Sequence, residues 1–319
     1  MKICVVGGAG YVGTELSSTL AYNHDVTVYD LFWFGDHLPS YIKKIKGDIR
    51  NRLDLRRAFD GMDAVIHLAC VSNDPCFEMN PGLGKEINYD CFKDFLSELS
   101  HANIKRFIYA SSSSVYGLSD LEQVTEDSPK NPLTDYSRYK LACEAWLKSY
   151  GTGGIWTILR PATVAGYSKR LRLDLVLNIL SIQAIVDKHI KIFGGSQKRP
   201  NINIKDMVRA YEWVLNSDER LIDQKTYNVG FENKTVAALA ELVKKTLNND
   251  EIKIETLEST DNRSYHINSD QIIKDGFIPK YDLSNAILSI QEASRCGLIQ
   301  QPFSGTNYYN IRKMKELSL

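Results

Sequence analysis

The chain has 319 residues, of which 43% are hydrophobic and 24% charged, an ordinary composition for a globular protein with one large domain or two smaller ones. Lysine plus arginine and aspartate plus glutamate number 39 each, which excludes the strongly basic charge balance typical of proteins that bind nucleic acid or anionic membranes. Six cysteines without CxxC spacing and no apolar run of eighteen residues argue against a disulfide scaffold and a membrane span, so we expect a cytoplasmic protein.

A glycine motif near the start of the chain predicts a dinucleotide site. The stretch "ICVVGGAGYVG" combines a buried strand with Gly7-x-x-Gly10-x-x-Gly13, and apolar residues at helical spacing follow it. Glycines permit the tight turn, let backbone amides approach a pyrophosphate and let the helix pack on the strand, while the helix N-terminus offers free N–H groups. A glycine turn without a nucleotide is the alternative interpretation.

Two aspartates follow the next predicted strands. Asp30 ends "DVTVYD", where a carboxylate accepts hydrogen bonds from both ribose hydroxyls and repels a 2′-phosphate, so the sequence predicts NAD rather than NADP. Asp48 lies in "GDI" after a third strand, where it either reaches the adenine edge or caps the helix "NRLDLRRAF".

Strand and helix patterns alternate through the first half of the chain. Apolar runs at "DAVIHLA", "RFIYAS" and "WTILRPA" alternate with helical segments such as "KDFLSELSHANI" and "YSRYKLACEAWLKSY". This alternation predicts an α/β fold with a Rossmann-type, doubly wound parallel sheet. After Gly166 we predict one long apolar helix over residues 171–186, strands at "KIFG" and "TYNVG", and helices at "VAALAELVKKTL" and "LSNAILSIQEASRCG".

These patterns predict two domains. Residues 1–165 form the NAD-binding domain, with a return segment around residues 200–230, and residues 166–319 form mainly a smaller mixed α/β substrate lobe.

A tyrosine and a lysine in "TDYSRYKLACEAW" are candidates for acid-base chemistry. Tyr136 and Lys140 are four residues apart, which places both side chains on one face of a helix. A phenol is a poor base at neutral pH, and a nearby ammonium stabilises the phenolate and lowers its pKa. With one more hydroxyl, the pair could hold a sugar alcohol and remove its proton. Taken alone, the pair is more typical of an exposed helix face, and the serine run "YASSSSVYG" is more typical of a polar turn.

The combined motifs carry a resemblance that covers nearly the whole chain. Their order and spacing resemble the extended short-chain dehydrogenase/reductase family, in particular its NAD-dependent sugar-nucleotide epimerase/dehydratase group: "GGAGYVG", Asp30, "GDI", "HLA", "ASSSSVYG", "YSRYK" and "LRPATVAGY". The resemblance implies that Ser112, three residues before Val115, is the catalytic hydroxyl, with Tyr136 as the base and Lys140 as the residue that lowers its pKa and holds the nicotinamide ribose.

The resemblance also implies the binding residues. The cofactor-binding set is Gly7, Gly10, Tyr11, Val12, Gly13, Asp30, Asp48, Ile49, Leu68, Ala69, Tyr136 and Lys140. The substrate-binding set is Ser113, Asn178, Arg199 and Arg263, although Asn203 replaces the usual histidine near Arg199. Asn88 matches an asparagine near the cofactor, or else serves as a helix N-cap or in a turn. The histidines show no metal-binding spacing, and we expect His67 to be structural and the protein to hold no metal.

The activity implied is NAD-dependent oxidation of a nucleotide-diphosphate sugar, at C4, by a homodimer. It is either a 4-dehydrogenase or the first half of a 4-epimerisation. The 4,6-dehydratases place Asp and Glu where this chain has Ser113 and Ser114, which argues against dehydration. Further motifs, "NDP" among them, resemble a bacterial surface-polysaccharide subgroup that includes a dehydrogenase of a GDP-linked heptose. The alternatives are an NADPH-dependent 4-keto-sugar reductase, which Asp30 opposes, and a non-catalytic NAD-binding regulator on the same fold.

Overall fold

The computed structural model describes residues 1–119, 121–258 and 266–319. The strands are β1 Lys2–Val6, β2 Asp25–Asp30, β3 Lys43–Lys46, β4 Ala64–His67, β5 Arg106–Ala110, β6 Ile155–Pro161, β7 Thr163–Ala165, β8 His189–Phe193, β9 Lys198–Asn203, β10 Lys225–Val229, β11 Glu232–Thr235 and β12 Lys253–Leu257. The α-helices are α1 Tyr11–Leu20, α2 Arg52–Phe59, α3 Asp74–Met79, α4 Pro81–Lys85, α5 Phe92–His101, α6 Asp135–Tyr150, α7 Val176–Asp187, α8 Ile204–Asn216, α9 Glu219–Ile222, α10 Val236–Leu247, α11 Asp270–Lys274, α12 Leu283–Arg295 and α13 Asn310–Glu316.

The main sheet has seven parallel strands in the order β3-β2-β1-β4-β5-β6-β10, which confirms the predicted doubly wound α/β fold. Both faces of the sheet are covered, because alternate residues of β1 enter different cores. Ile3 and Val5 pack with α1 and α8, while Cys4 and Val6 pack with α2, α5 and α6. From β1 the chain adds β2 and β3 on one side and then β4, β5 and β6 on the other, so the strand order changes direction between β1 and β4. Ligands of such sheets bind at this point, outside the carboxyl ends of the strands.

The return segment supplies an edge of this sheet. After β9 the chain forms α8, which packs on α1, and β10 then pairs with β6 in register from Lys225 opposite Thr157. The boundaries 1–165 and 166–319 stay a prediction.

The rest of the chain forms the smaller lobe. Its two small sheets are β11-β9-β7 and β12-β8, and a third core joins α7, α10 and α12. The helix predicted over 171–186 begins only at Val176, because residues 171–175 form an irregular segment with bends that contains the buried Arg172. The last helix, α13, returns to the large domain and packs against α3.

Candidate active site

The glycine turn forms one wall of a cleft at the ends of β1, β2, β4 and β5. Gly7 has φ +82°, and a Cβ there would lie 2.4 Å from the backbone N of Ala69, so only glycine fits between the two strand ends. Gly10 caps α1 without any side-chain cap. The nearest heavy atom to a Cβ at Gly10 would be the carbonyl O of Gly7, at 3.3 Å, so that Cβ would project into the cleft instead. The first turn of α1 therefore presents its N–H groups to a ligand in the cleft, as a bound pyrophosphate requires.

The cleft contains a cavity of about 370 Å³, called the first cavity below. Ten of the twelve predicted cofactor residues line it: Gly7, Gly10, Tyr11, Val12, Gly13, Asp30, Ile49, Leu68, Ala69 and Tyr136. The glycine turn on its wall and Asp30 on its rim fit a dinucleotide. The twelve assignments stay predictions, because the structure places the residues without a ligand to contact them.

Asp30 stands at the end of β2 on the rim of the first cavity. Its carboxylate accepts hydrogen bonds from the backbone N–H of Ala9 at 2.9 Å and of Phe32 at 2.7 Å. Burial raises the pKa of this carboxyl, and the two backbone hydrogen bonds oppose the rise. Asp30 thus ties the glycine turn to the loop after β2 as well as facing the predicted ribose.

Asp48 is engaged elsewhere. The cap of α2 is Asn51, whose side chain accepts from the N–H of Leu53 and Asp54, so the helix-cap interpretation of Asp48 is wrong. The Asp48 carboxylate instead binds the guanidinium of Arg50 at 2.6 Å. Its neighbours Gly47 and Ile49 line the first cavity. Contact between Asp48 and the adenine stays a prediction.

Asn88 supports the loop after β4. Its side-chain amide accepts from the N–H of Val71 at 2.8 Å and donates to the carbonyl O of the same residue at 3.0 Å. Asn88 lies in a single π-helical turn over Glu86–Asp90 before α5. It therefore holds a cavity wall in place through the backbone.

The three predicted catalytic residues come together at the inner end of the first cavity. Tyr136 and Lys140 occupy the first two turns of α6, and the Tyr136 phenol is hydrogen bonded to Ser112, in the loop after β5. The Ser112 hydroxyl also contacts the Ser114 hydroxyl at 2.8 Å and accepts from its N–H at 3.1 Å. Lys140 is buried, and its Nζ donates to the carbonyl O of Ala110 at 2.7 Å, which fixes α6 against the end of β5.

The pKa of Tyr136 differs from the prediction. Burial raises the pKa of this phenol well above its usual value of about 10, and Cys70 and Asp74 raise it further. The hydrogen bond from Ser112 acts in the opposite direction. The expected lowering of this pKa is wrong for the protein alone, because desolvation dominates, and the contribution of Lys140 stays a prediction.

The sequence did not predict the buried hydrogen-bond network that holds residues 111–114, called the serine loop below, in place. The Ser111 hydroxyl donates to Glu144 at 2.5 Å, and Arg160 binds the same carboxylate through Nε at 2.9 Å and Nη2 at 2.6 Å. Both Glu144 and Arg160 are 1% exposed. Glu144 lies one turn after Lys140 on α6, so the pair couples the serine loop to the helix that carries Tyr136. The only sequence signal was the i, i+4 spacing of Lys140 and Glu144, which did not distinguish this role.

A second cavity, of about 500 Å³, adjoins the first. The two share four lining residues, namely Asp74, Ser114, Thr163 and Leu175. Arg199, on β9, lines the second cavity, as a phosphate-contacting residue should. Arg263 lies outside the described residues.

Two other predicted substrate residues are buried. Ser113 is 2% exposed on the wall of the first cavity. Asn178 is fully buried: its Oδ1 accepts from the N–H of Gly166, and its Nδ2 donates to the Tyr11 hydroxyl and the Arg172 carbonyl. Every polar atom of the Asn178 amide is thus occupied within the fold, so its position corrects the expectation of a substrate-facing side chain.

The first cavity includes three polar residues that the sequence did not single out. These are Arg170 and Arg172, in the segment before α7, and Asn310, at the start of α13. Arg172 pairs with Asp174 at 2.8 Å and donates to the Ser72 hydroxyl at 3.2 Å, while Asn310 donates to the same hydroxyl at 2.9 Å. No local sequence motif predicts that Asn310 lines the cavity, because this residue is close to the cleft in space but distant from it along the chain.

His67 has a structural environment. Its ring is 4% exposed and stacks on Phe95 with a centroid distance of 4.3 Å. Burial, with a contribution from the charge of Lys140, lowers the pKa of His67 to about 3, so the imidazole is neutral. Within residues 1–119, 121–258 and 266–319, no cluster of His, Cys, Asp and Glu could hold a metal ion. The same part of the chain contains no helix long and apolar enough to cross a membrane.

Comparison with known proteins matches the chain to sugar-nucleotide enzymes. The family model described as "NAD dependent epimerase/dehydratase family" matches residues 3–230. A UDP-glucose 4-epimerase of Lactobacillus helveticus is 28% identical over 254 residues, covering 72% of this chain and 76% of the relative. A UDP-glucose 4-epimerase of Rhizobium meliloti is 30% identical over 243 residues, covering 68% and 74%. The crystal structure of a UDP-glucuronic acid 4-epimerase from Bacillus cereus, in complex with UDP-glucuronic acid and NAD, has a TM-score of 0.80 and 25% identity, covering 93% and 99%.

Proposed function

Because the chain belongs to the NAD-dependent epimerase/dehydratase family, we propose that it oxidises a nucleotide-diphosphate sugar at C4 by hydride transfer to NAD. NAD is its cofactor, and it is an enzyme of the sugar-nucleotide epimerase family. The position on the sugar, the nucleotide and the fate of the hydride belong to the proposal.

One observation carries the proposal: Tyr136 and Ser112 line the first cavity, and Ser114, whose hydroxyl is hydrogen bonded to Ser112, lines both cavities. The first cavity has the glycine wall and Asp30 that suit a dinucleotide, and the second has Arg199. A sugar whose diphosphate is held in the second cavity would reach the phenol from one side, with the cofactor on the other. Such positioning of two reactants contributes much of the rate in bimolecular reactions.

The residues present can perform the proton chemistry. In this proposal Tyr136 accepts the proton of the sugar hydroxyl while Ser112 holds that hydroxyl in place, and Lys140, buried one turn further along α6, favours the phenolate once the ligands are bound. When bound, NAD supplies the hydride acceptor and a positively charged ring. Since burial raises the pKa of Tyr136 in the protein alone, the phenolate gains its stability from charges that arrive with the ligands.

Epimerisation is the leading outcome after oxidation. Both curated relatives described above are 4-epimerases of UDP-glucose, which supports a UDP-sugar and return of the hydride to the other face. A net 4-dehydrogenase, with a GDP-linked heptose as substrate, is the second candidate, and it rests on the sequence resemblance alone, as does a role in surface-polysaccharide synthesis. Ser113 and Ser114 lack the acid and base of a 4,6-dehydration, and Ser114 is hydrogen bonded to Ser112.

A panel of nucleotide sugars tests the proposal. Single-turnover reduction of bound NAD is followed at the nicotinamide absorbance with UDP-, GDP-, CDP- and dTDP-sugars, and product stereochemistry is then determined. We expect reduction with at least one sugar; transient reduction with an inverted C4 identifies an epimerase, and accumulated NADH identifies a dehydrogenase. Tight NAD binding without reduction by any of them would favour the non-catalytic regulator. A location in the cytoplasm remains part of the proposal.

Asp30 is expected to decide between the two nicotinamide cofactors. We predict that NAD binds at least tenfold more tightly than NADP, a difference of about 1.4 kcal/mol, because the carboxylate repels a 2′-phosphate. Asp30→Asn keeps an oxygen that can accept from the N–H of Ala9 and should reduce the difference in affinity between NAD and NADP. Calorimetric titration with both cofactors measures this difference. Equal affinities in the unmodified protein would remove the argument for NAD and favour the keto-sugar reductase.

Self-association through α5 and α6 is the second expectation. Tyr150 is 66% exposed at the end of α6, and the Lys93 ammonium on α5 lies 4.5 Å from the ring centroid of the partly exposed Trp146. Aromatic surface on α6, beside the exposed Lys93 of the adjacent helix α5, suits a twofold interface. Light scattering at micromolar concentration should give twice the 36.1 kDa of the chain, and Trp146→Glu should yield the monomer. A monomeric unmodified protein would contradict the expectation.

A further inference from the structure

Arg170 is a buried cation on the wall of the first cavity whose hydrogen bonds are incomplete. The residue is 3% exposed, and its Nη2 donates to Oδ1 of Asn310. Within the part of the chain that the structure describes, neither its Nε nor its Nη1 has a hydrogen-bond acceptor, although both atoms are buried. Buried N–H groups of a charged side chain are rarely left in this state, since the lost hydration is not replaced.

Two described carboxylates, those of Asp174 and Asp30, act on the charge of Arg170, and both are already engaged with other groups. Arg172, two residues on, pairs with Asp174, and it adds positive charge to the same segment. Burial, reinforced by Arg172, lowers the pKa of the Arg170 guanidinium to about 9. Asp30 interacts with Arg170 only at longer range, and its carboxylate is already hydrogen bonded to two backbone N–H groups. The site is therefore built for a cation that receives its counter-charge from a ligand.

The position of Arg170 indicates which ligand that is. Its guanidinium stacks on the ring of Phe34, 3.8 Å from the centroid, and Phe34 follows Asp30 in the loop after β2. Arg170 and the glycine wall line the same cavity, whereas Arg199 lines the second cavity. A planar guanidinium with two unused N–H groups matches the oxygens of a diphosphate.

We propose that Arg170 binds the diphosphate of the dinucleotide, in addition to the N-terminus of α1, and that Asn310 on the last helix positions it. The cofactor site then extends beyond residues 3–230, which the family model matches, to the C-terminal end of the chain. The proposal rests on NAD binding and is independent of the sugar chemistry proposed above.

Nucleotide fragments test the assignment without turnover. The full-length protein, freed of nucleotide, is titrated calorimetrically with ADP, adenosine and UDP. Arg170→Gln should weaken ADP binding at least tenfold, since only ADP places a diphosphate in the first cavity. The affinities for adenosine and UDP should change by no more than about twofold. Arg170→Lys should restore part of the lost ADP affinity, because lysine keeps the positive charge but lacks the planar guanidinium that donates two parallel hydrogen bonds. Asn310→Ala should weaken ADP in the same direction by a smaller factor.

Controls separate binding from folding. Arg220→Gln removes an exposed arginine that pairs with Asp218 and should leave all three titrations unchanged. The melting temperature of nucleotide-free Arg170→Gln should equal or exceed that of the unmodified protein, because a buried unpaired charge has been removed. A lower melting temperature with weakened adenosine binding would assign Arg170 a structural role and overturn the proposal.

Two further results would also overturn it. Unchanged ADP affinity in Arg170→Gln would show that the diphosphate lies elsewhere, and a selective loss of UDP would assign Arg170 to the sugar nucleotide. Either result leaves the proposed oxidation of a sugar intact, since that proposal is tested by NAD reduction in the unmodified protein.

Discussion

Tyr136→Phe is expected to lower the single-turnover rate of NAD reduction by a factor of about 10² to 10⁴, the usual scale for loss of a general base. The ring and its packing remain, so the variant should fold and bind NAD. Ser112→Ala should lower this rate by a smaller factor, because it removes a hydrogen bond that positions the sugar hydroxyl and leaves the base in place. Lys140→Met should impair both NAD binding and rate, since the buried Nζ also fixes α6 to the carbonyl of Ala110.

The pH dependence gives the same prediction a second readout. The pKa of Tyr136 is raised by burial, so the phenolate fraction, and with it the rate, should increase with pH across the range from about pH 6 to 9. Tyr136→Phe should lose this dependence. Tyr139→Phe, three residues on in the same helix, is the matched control and should keep the native rate and profile. Native-rate reduction by Tyr136→Phe would refute the proposed base for any sugar.

Glu144→Gln is expected to cost about 3 to 5 kcal/mol in the free energy of unfolding, because it leaves the Arg160 guanidinium buried without its counter-charge. The same variant should reduce the turnover rate, since Glu144 also receives the hydroxyl of Ser111 beside the catalytic serine. Denaturant unfolding monitored by fluorescence measures the first effect, and single-turnover kinetics the second.

The other partner of the same glutamate provides the control. Lys148 approaches Glu144 at 4.0 Å from a half-exposed position, and Lys148→Met should change stability by less than about 1 kcal/mol. Replacing both members of the pair, as Glu144→Leu with Arg160→Met, should cost less than Glu144→Gln alone. Equal stability of Glu144→Gln and the unmodified protein would show that the buried pair does not hold the serine loop.

The parallel sheet and the cofactor turn could be predicted because their signals are local. Continuous apolar runs give buried strands, and the spacing of Gly7, Gly10 and Gly13 gives a turn whose geometry depends on neighbouring residues. The Tyr136 and Lys140 pair was visible for the same reason, because four residues span one helical turn. The start of α7 was misplaced, because Leu171 and Leu173 are buried in an irregular segment, where apolar residues carry no helical information.

Tertiary structure decided which polar residues surround the site. The hydrogen bond from Asn310 to Ser72 joins residues 238 positions apart, and that from Ser111 to Glu144 joins residues 33 positions apart. Sequence patterns could not distinguish Asn178, whose amide is hydrogen bonded within the fold, from Arg170, whose Nε and Nη1 have no acceptor among the described residues. The sequence by itself thus determined the strands, the glycine turn and the catalytic helix, since each depends on neighbours along the chain. The direction of the Tyr136 pKa shift and the charges around the cofactor were decided by burial and long-range contacts, which exist only once the chain has folded.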